Sequence, residues 1–201
     1  MRALILVDLQ NDFLPGGALA VPQGEAVLGP VHDLIDGGEH DLVVATQDWH
    51  PPDHASFAAQ HPGHAIGEVI ELAGLPQVLW PVHCVAGSRG AELARGLDGA
   101  RIEAIFRKGT DRRVDSYSGF FDNGRRKSTG LGDWLRGRGV TDVDVCGLAT
   151  DYCVRATALD ARSLGFGVRL RVDACHGVEL TPGDVDRALA DLRAAGVELV
   201  G

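Results

Sequence analysis

The chain has only four cysteines in 201 residues, and no two of them stand in a CxxC pair. That spacing offers neither a zinc ribbon nor a CxxC redox centre. Basic charge is also scarce: 19 lysines and arginines face 28 aspartates and glutamates, for a net charge of −9. A polyanionic partner needs a dense basic surface, so no nucleic-acid partner is expected. The single basic cluster, Arg125, Arg126 and Lys127, follows the turn signal Asn123-Gly124 and reads as a solvated loop. No apolar run approaches membrane-spanning length, and the opening "MRALILVDLQ" meets Asp8 too soon for a signal peptide. The expectation is a cytoplasmic protein with no membrane partner, whose Cys84, Cys146, Cys153 and Cys175 are thiols. Internal repeats, low-complexity tracts and linker-like stretches are lacking as well. That leaves one domain over residues 1–201, long enough to bury a core without disulfides.

What is present is the composition of an ordinary globular protein, 45% hydrophobic and 23% charged, with 27 glycines for tight turns. Short aliphatic and β-branched runs recur at residues 3–7, 42–46, 102–106, 143–146, 168–172 and 197–200, with helix-like patterns between most of them. This alternation predicts an α/β fold, a three-layer Rossmann-like arrangement with a central six-stranded, mainly parallel sheet flanked by helices. In the last connector Thr181-Pro182-Gly183-Asp184 resembles a capping box, Val185, Leu189 and Leu192 share a face, and Gly196 ends the helix. A helix over 26–35 puts Val27, Val31, Leu34 and Ile35 on one side, and Pro30 must lie early in it or kink it. Residues 47–101, rich in histidine and proline, keep no sustained period and read as a long irregular excursion from the second strand.

Ligands of open parallel sheets bind outside the carboxyl ends of the strands. Reactive side chains fall at those ends here: Asp8 after the first strand, Asp48 and His50 after the second, Lys108 after the third and Cys153 after the fourth. In the extended stretch "DWHPPDH", residues two apart point the same way, so Asp48 and His50 can face one ion. His54, or His83 in "WPVHC", could be a third ligand to zinc, iron or manganese, although a lone Asp-x-His is a weak signal. Lys108 in "FRKGT" is either an exposed lysine at a strand end or an ammonium held among carboxylates, with Asp8 as its partner. Asp8 could equally cap a loop. If Thr150 caps the helix of "GLATDYCVRA", Cys153 sits in the first turn, where unpaired N–H groups and the helix dipole stabilise a thiolate. Buried structural cysteine is the competing reading. Cys146 and Cys175 look structural, and Cys84, beside His83, stays open.

Taken together, "LILVDLQNDF", "ATQDWHPPDHASF", "LWPVHCVAGS", "FRKGTDRRVDSYSGFFDN" and "GLATDYCVRATALDA" resemble the nicotinamidase family of the isochorismatase-like hydrolases. The likeness runs in order over nearly the whole chain. It implies a Cys-Asp-Lys triad at Cys153, Asp8 and Lys108, and metal ligands at Asp48, His50 and His83. His54 falls where relatives place a further ligand or a residue near the metal. Phe13, Trp80 and Tyr117 match aromatic residues of the family's substrate pocket, and a non-proline cis peptide would fall at Leu148-Ala149.

The implied activity is hydrolysis of nicotinamide, and also of pyrazinamide, through a cysteine thioester, in NAD salvage. Backbone N–H groups of Ala149 and Cys153 would hold the oxyanion. The implied cofactor is one divalent metal ion, zinc before iron or manganese. A homo-oligomer is compatible with this reading. Alternatives are a cysteine hydrolase of another small amide or ureide, metal-activated water attack with a structural Cys153, and a metal- and ligand-binding module without turnover.

Overall fold

Parallel strands buried on both faces need unbroken apolar runs, and residues 3–7 supply one. The computed structural model describes residues 1–97 and 101–201, so residues 98–100 of the 47–101 excursion lie outside the described residues. Strands β1 (Arg2–Val7), β2 (Leu42–Asp48) and β6 (Asp142–Leu148) are buried almost throughout. They form the middle of a six-stranded sheet with β5 (Ala104–Lys108), β7 (Gly167–His176) and β8 (Glu198–Val200), in the order β5-β2-β1-β6-β7-β8. All the pairings in it are parallel. From β1 the chain winds outward to β2 and β5, then returns to β6 on the other side of β1. The carboxyl ends of β1 and β6 therefore border the topological switch point, where such sheets bind ligands.

Contact between these two central strands is close at Gly147. Its φ is +118°, and a Cβ there would stand 2.2 Å from the Val7 carbonyl oxygen. Only glycine lets β6 continue past β1 into the segment that carries Cys153.

Helices α1 (Leu28–Asp36), α3 (Arg155–Ser163) and α4 (Asp184–Ala194) flank the sheet, and α2 (Leu131–Gly137) precedes β6. Pro30 lies in the first turn of α1, where its missing N–H has no intrahelical partner to lose. Half of the expected capping box forms at α4: Asp184 Oδ2 accepts the Thr181 N–H at 2.8 Å, while Gly183, at φ +88°, is the cap. Ala188 and Leu192 are the fully buried residues of that helix, with Val185 and Leu189 half-buried beside them.

Three boundaries differ from expectation. The third strand of the sheet begins at Ala104 and reaches Lys108, because pairing with β2 continues to the register Asp48↔Lys108. The fifth extends through Cys175 to His176, past an irregularity opposite Val145 and Gly147. The excursion is not wholly irregular, since β3 (Val69–Leu72) and β4 (Leu75–Val78) make an antiparallel hairpin. Its two-residue turn, Ala73-Gly74, has both φ values positive, the geometry that matches strand twist. Pro76 and the largely exposed faces of both strands hid the alternation.

Asp144, inside the run "TDVDVC", is a buried carboxylate in the middle of the sheet. Arg169 grips it with two hydrogen bonds of 2.8 and 2.6 Å, and His40 Nε2 and Arg2 approach at 3.0 and 3.3 Å. Burial alone would raise its pKa, but the hydrogen bonds from His40 and Arg169 hold it well below the usual carboxylate range. Asp144→Ala should therefore lower stability by about 3 kcal/mol at pH 7, the lower end for a buried pair because its arginine partners touch water. A depressed carboxyl contributes fully above its ordinary value of 3.8 and loses that contribution as pH falls through the folded-state value. The difference between wild-type and variant urea midpoints should thus shrink from pH 7 to pH 3; a constant difference would contradict this.

Candidate active site

Four strand ends converge on one buried ammonium. Lys108 Nζ, at the end of β5, lies 2.8 Å from Asp8 Oδ2 and 2.6 Å from Asp48 Oδ1. It also donates to the Ser116 carbonyl at 2.9 Å and to Cys153 Sγ at 3.3 Å. Lys108 and Asp8 are 1% and 0% exposed, so this lysine is not the solvated strand-end residue of the competing reading. Asp8 follows β1 in the left-handed region, at φ 50°. Thr46 on β2 fixes it: the Thr46 hydroxyl donates to Asp8 Oδ1 at 2.6 Å and accepts the Asp8 N–H at 3.2 Å. Asp8 Oδ2 is held by the Lys108 ammonium at 2.8 Å. A carboxylate oxygen of Asp8 and the Cys153 sulfur lie within 4.8 Å of each other.

Burial pushes the Asp8 carboxyl up, against the pull of Lys108 and with the help of Asp48. Burial pushes the Cys153 thiol up as well, opposed by Lys108 and reinforced by Asp8 and Asp48. Lys108 would lose its proton to burial were it alone, but Asp48 and Asp8 keep it firmly charged. Burial thus raises the proton affinity of Cys153 and of the carboxylate beside it together. The local element differs from the expected one, because Ala149 rather than Thr150 is the cap, and Thr150–Val154 form a wide π-type turn ahead of α3. The Leu148-Ala149 peptide bond is cis, as the family resemblance implied.

Asp48 has a second role. Its Oδ2 lies 3.7 Å from His50 Nε2 and 3.9 Å from His83 Nε2, so three ligand atoms face one point. Each ring is oriented from behind, His50 Nδ1 by the Gly109 carbonyl at 3.0 Å and His83 Nδ1 by the Pro81 carbonyl at 2.8 Å. Backbone carbonyls that take the Nδ1 protons leave both Nε2 lone pairs turned inward, the arrangement that divalent metal sites use. Burial and the neighbouring His50 bring the His83 pKa down to about 4, which keeps that imidazole neutral. His54 is fully buried, its Nδ1 is tied to Ser56 at 2.7 Å, and its Nε2 has no partner. Asp48, His50 and His83 fit one divalent ion, whereas His54 groups with His50 and Asp115.

A small pocket, partly open to solvent, adjoins these groups. Phe13, Trp80 and Tyr117 line it, as do Asp48, His83, Ala149 and Cys153. Phe13 meets His83 edge-on at 5.6 Å, and the Tyr117 hydroxyl accepts Trp80 Nε1–H at 3.3 Å.

Sequence reasoning assigned no role to several residues that build this site. Tyr152 packs at 4.9 Å from Trp80 and lines the pocket with Leu19, Val178 and Asp115. Gln10 clamps the Asp48 backbone, donating to its carbonyl and accepting its N–H, both at 2.8 Å. Asp12 accepts the Cys84 N–H at 2.7 Å and so holds the turn after His83. The "LQNDF" and "TDYC" stretches contain Gln10, Asp12 and Tyr152; Leu19 and Val178 carry no chemical signature. The remaining cysteines are buried, with burial pushing Cys84 and Cys146 far up and Cys175 up to about 12.

The chain belongs to the isochorismatase family, whose isochorismatase domain matches residues 2–201. Within that family it is 50% identical to the nicotinamidase of Escherichia coli K12, over 98% of this chain and 93% of that protein. The fold superimposes on an Acinetobacter nicotinamidase and pyrazinamidase with a TM-score of 0.95 at 43% identity, covering 99% and 95% of the two chains. It also matches the zinc complex of the Pyrococcus horikoshii pyrazinamidase, with a TM-score of 0.80 at 40% identity over 99% and 98%.

Gly109 shows how tightly the histidine cluster is built. Its φ is +64°, and a Cβ would stand 2.3 Å from His50 Cε1. Gly109→Ala should cost about 1–3 kcal/mol in chemical denaturation. Gly137→Ala, at a helical position with open space around it, should be neutral or slightly stabilising. Equal effects of the two substitutions would contradict this reading of the site.

Proposed function

We propose that this protein is a nicotinamidase, hydrolysing nicotinamide to nicotinate and ammonia, acting also on pyrazinamide, and serving NAD salvage in the cytoplasm. One observation carries the proposal. A single carboxylate, Asp48, turns one oxygen to Lys108 at 2.6 Å and the other toward His50 and His83. The thiol machinery and the metal-binding set thus share a wall of the same aromatic pocket. The relatives that bear the same activity in their names match over nearly their full lengths. Four free thiols suit a reducing compartment.

In this reading Asp48, His50 and His83 hold one zinc ion. The ion supplies, when bound, a Lewis-acid position for the pyridine nitrogen. Phe13 and Trp80 flank the ring, so the carboxamide is delivered to Cys153 in a fixed pose. Orientation of this kind lowers a barrier by about 7 kcal/mol or more at best.

The Asp8 carboxylate then takes the Cys153 proton as Sγ bonds to the amide carbon, and the carbonyl oxygen becomes an oxyanion held by the Ala149 and Cys153 N–H groups. A raised Asp8 proton affinity makes this transfer less costly. The tetrahedral species collapses as the proton on Asp8 passes to the amide nitrogen; the C–N bond breaks and ammonia leaves a thioester. Water, deprotonated by the freed Asp8, adds to that thioester, and expulsion of Sγ gives nicotinate, with Asp8 returning the proton to the thiol. Lys108 stays protonated throughout and screens Asp8, Asp48 and the transient thiolate from one another.

Cys153→Ala should abolish ammonia release from nicotinamide while retaining the zinc content of wild type by elemental analysis. Turnover near the wild-type rate in that variant would rule out the covalent route.

A further inference from the structure

Asp151 sits two residues before Cys153 in the same turn, yet neither the proton relay nor the metal set uses it. Its carboxylate instead reaches the segment between β7 and α4. Oδ1 accepts the Val178 N–H at 3.0 Å and Oδ2 accepts the Glu179 N–H at 2.8 Å. The far side of that segment is tied down too, with Glu179 Oε1 accepting the Val185 N–H at 3.2 Å at the start of α4. Val178, whose N–H makes the first of these ties, forms a wall of the substrate pocket alongside Ala149, Tyr152 and Cys153. Packing behind that wall is tight: a Cβ on Gly177 would stand 2.1 Å from Val185 Cγ2 and 3.2 Å from Asp151 Oδ1.

A carboxylate that accepts two successive backbone N–H groups fixes both position and orientation, since its acceptors are charged and rigidly spaced. One end of this clamp is the nucleophile's own turn. Asp151 therefore ties the Val178 wall directly to the turn that carries Sγ. We infer that Asp151 is a positioning residue that tunes substrate selectivity, holding Val178 as a pocket wall so that the relative rates on ring-substituted and unsubstituted six-membered heteroaromatic carboxamides depend on the clamp. This inference rests on the carboxamide-hydrolase reading for its substrates, but the clamp itself can be measured without turnover.

The test uses three variants of the full chain. Asp151→Ala removes both acceptors. Asp151→Asn keeps one acceptor and sets an amide NH2 against the other N–H. Val178→Ala lowers the wall and leaves the clamp in place. Steady-state constants are measured for nicotinamide, 5-methylnicotinamide and 6-methylnicotinamide, and amide hydrogen exchange is followed at Val178 and Glu179.

For Asp151→Asn, KM for nicotinamide should rise about fivefold more than kcat falls. The kcat/KM of at least one methylated substrate relative to nicotinamide should rise about tenfold. Exchange at both amides should accelerate in the Asp151 variants. Val178→Ala should shift selectivity the same way with exchange unchanged. A uniform fall in kcat/KM across all three substrates, or unaltered exchange in Asp151→Asn, would overturn the inference. If wild type releases ammonia from none of the three, the functional reading fails, and the exchange data alone then uphold or overturn the clamp.

Discussion

A lysine ammonium with essentially no exposure to water must be neutralised where it lies, and that requirement organises the rest of the site. Lys108 meets it with two carboxylates, Asp8 at 2.8 Å and Asp48 at 2.6 Å, and with the Ser116 carbonyl. Each carboxylate is then committed to a different neighbour. Asp8 faces the Cys153 thiol, and Asp48 faces the two imidazoles. Charge balance at one nitrogen atom thus couples a proton relay to a metal-binding set. Removal of the ammonium would leave two buried carboxylates facing each other, a more costly state than loss of the pair together.

The fold makes this convergence achievable. Three contributors, Asp8, Asp48 and Lys108, stand at the carboxyl ends of neighbouring strands β1, β2 and β5, and the register Asp48↔Lys108 puts two of them side by side. The fourth arrives from the other side of the switch point, on the turn after β6, which Gly147 allows past β1. A pocket that opens at this junction is walled by segments from distant parts of the sequence, so no single loop defines the substrate's position. Asp151 brings the segment after β7 into the same frame.

Much of this was legible in the sequence for physical reasons. Apolar runs buried on both faces are hard to mistake, so the six sheet strands were found to within a few residues. Side chains able to do chemistry at strand ends pointed to Asp8, Asp48, His50, Lys108 and Cys153 before any geometry was known. Other features depend on partners that only folding supplies. Thr46 orients Asp8 from a strand that reads as ordinary, and the raised proton affinities of Asp8 and Cys153 follow from burial that no local motif encodes. The hairpin at Val69–Val78 was missed because Pro76 and solvent-facing side chains erase its alternation, although Ala73-Gly74 marks its turn. Asp144 was read as part of an apolar run because the arginines that satisfy it come from other strands.

The dependence of Cys153 on the buried ammonium is open to direct measurement through residue-resolved rates of alkylation by iodoacetamide, in wild type and in Lys108→Met. With Lys108 as the counterion of the transient thiolate, alkylation of Cys153 should slow by about tenfold or more in the variant, the equivalent of at least one pKa unit lost. Equal alkylation rates at Cys153 in the two folded proteins would contradict the account.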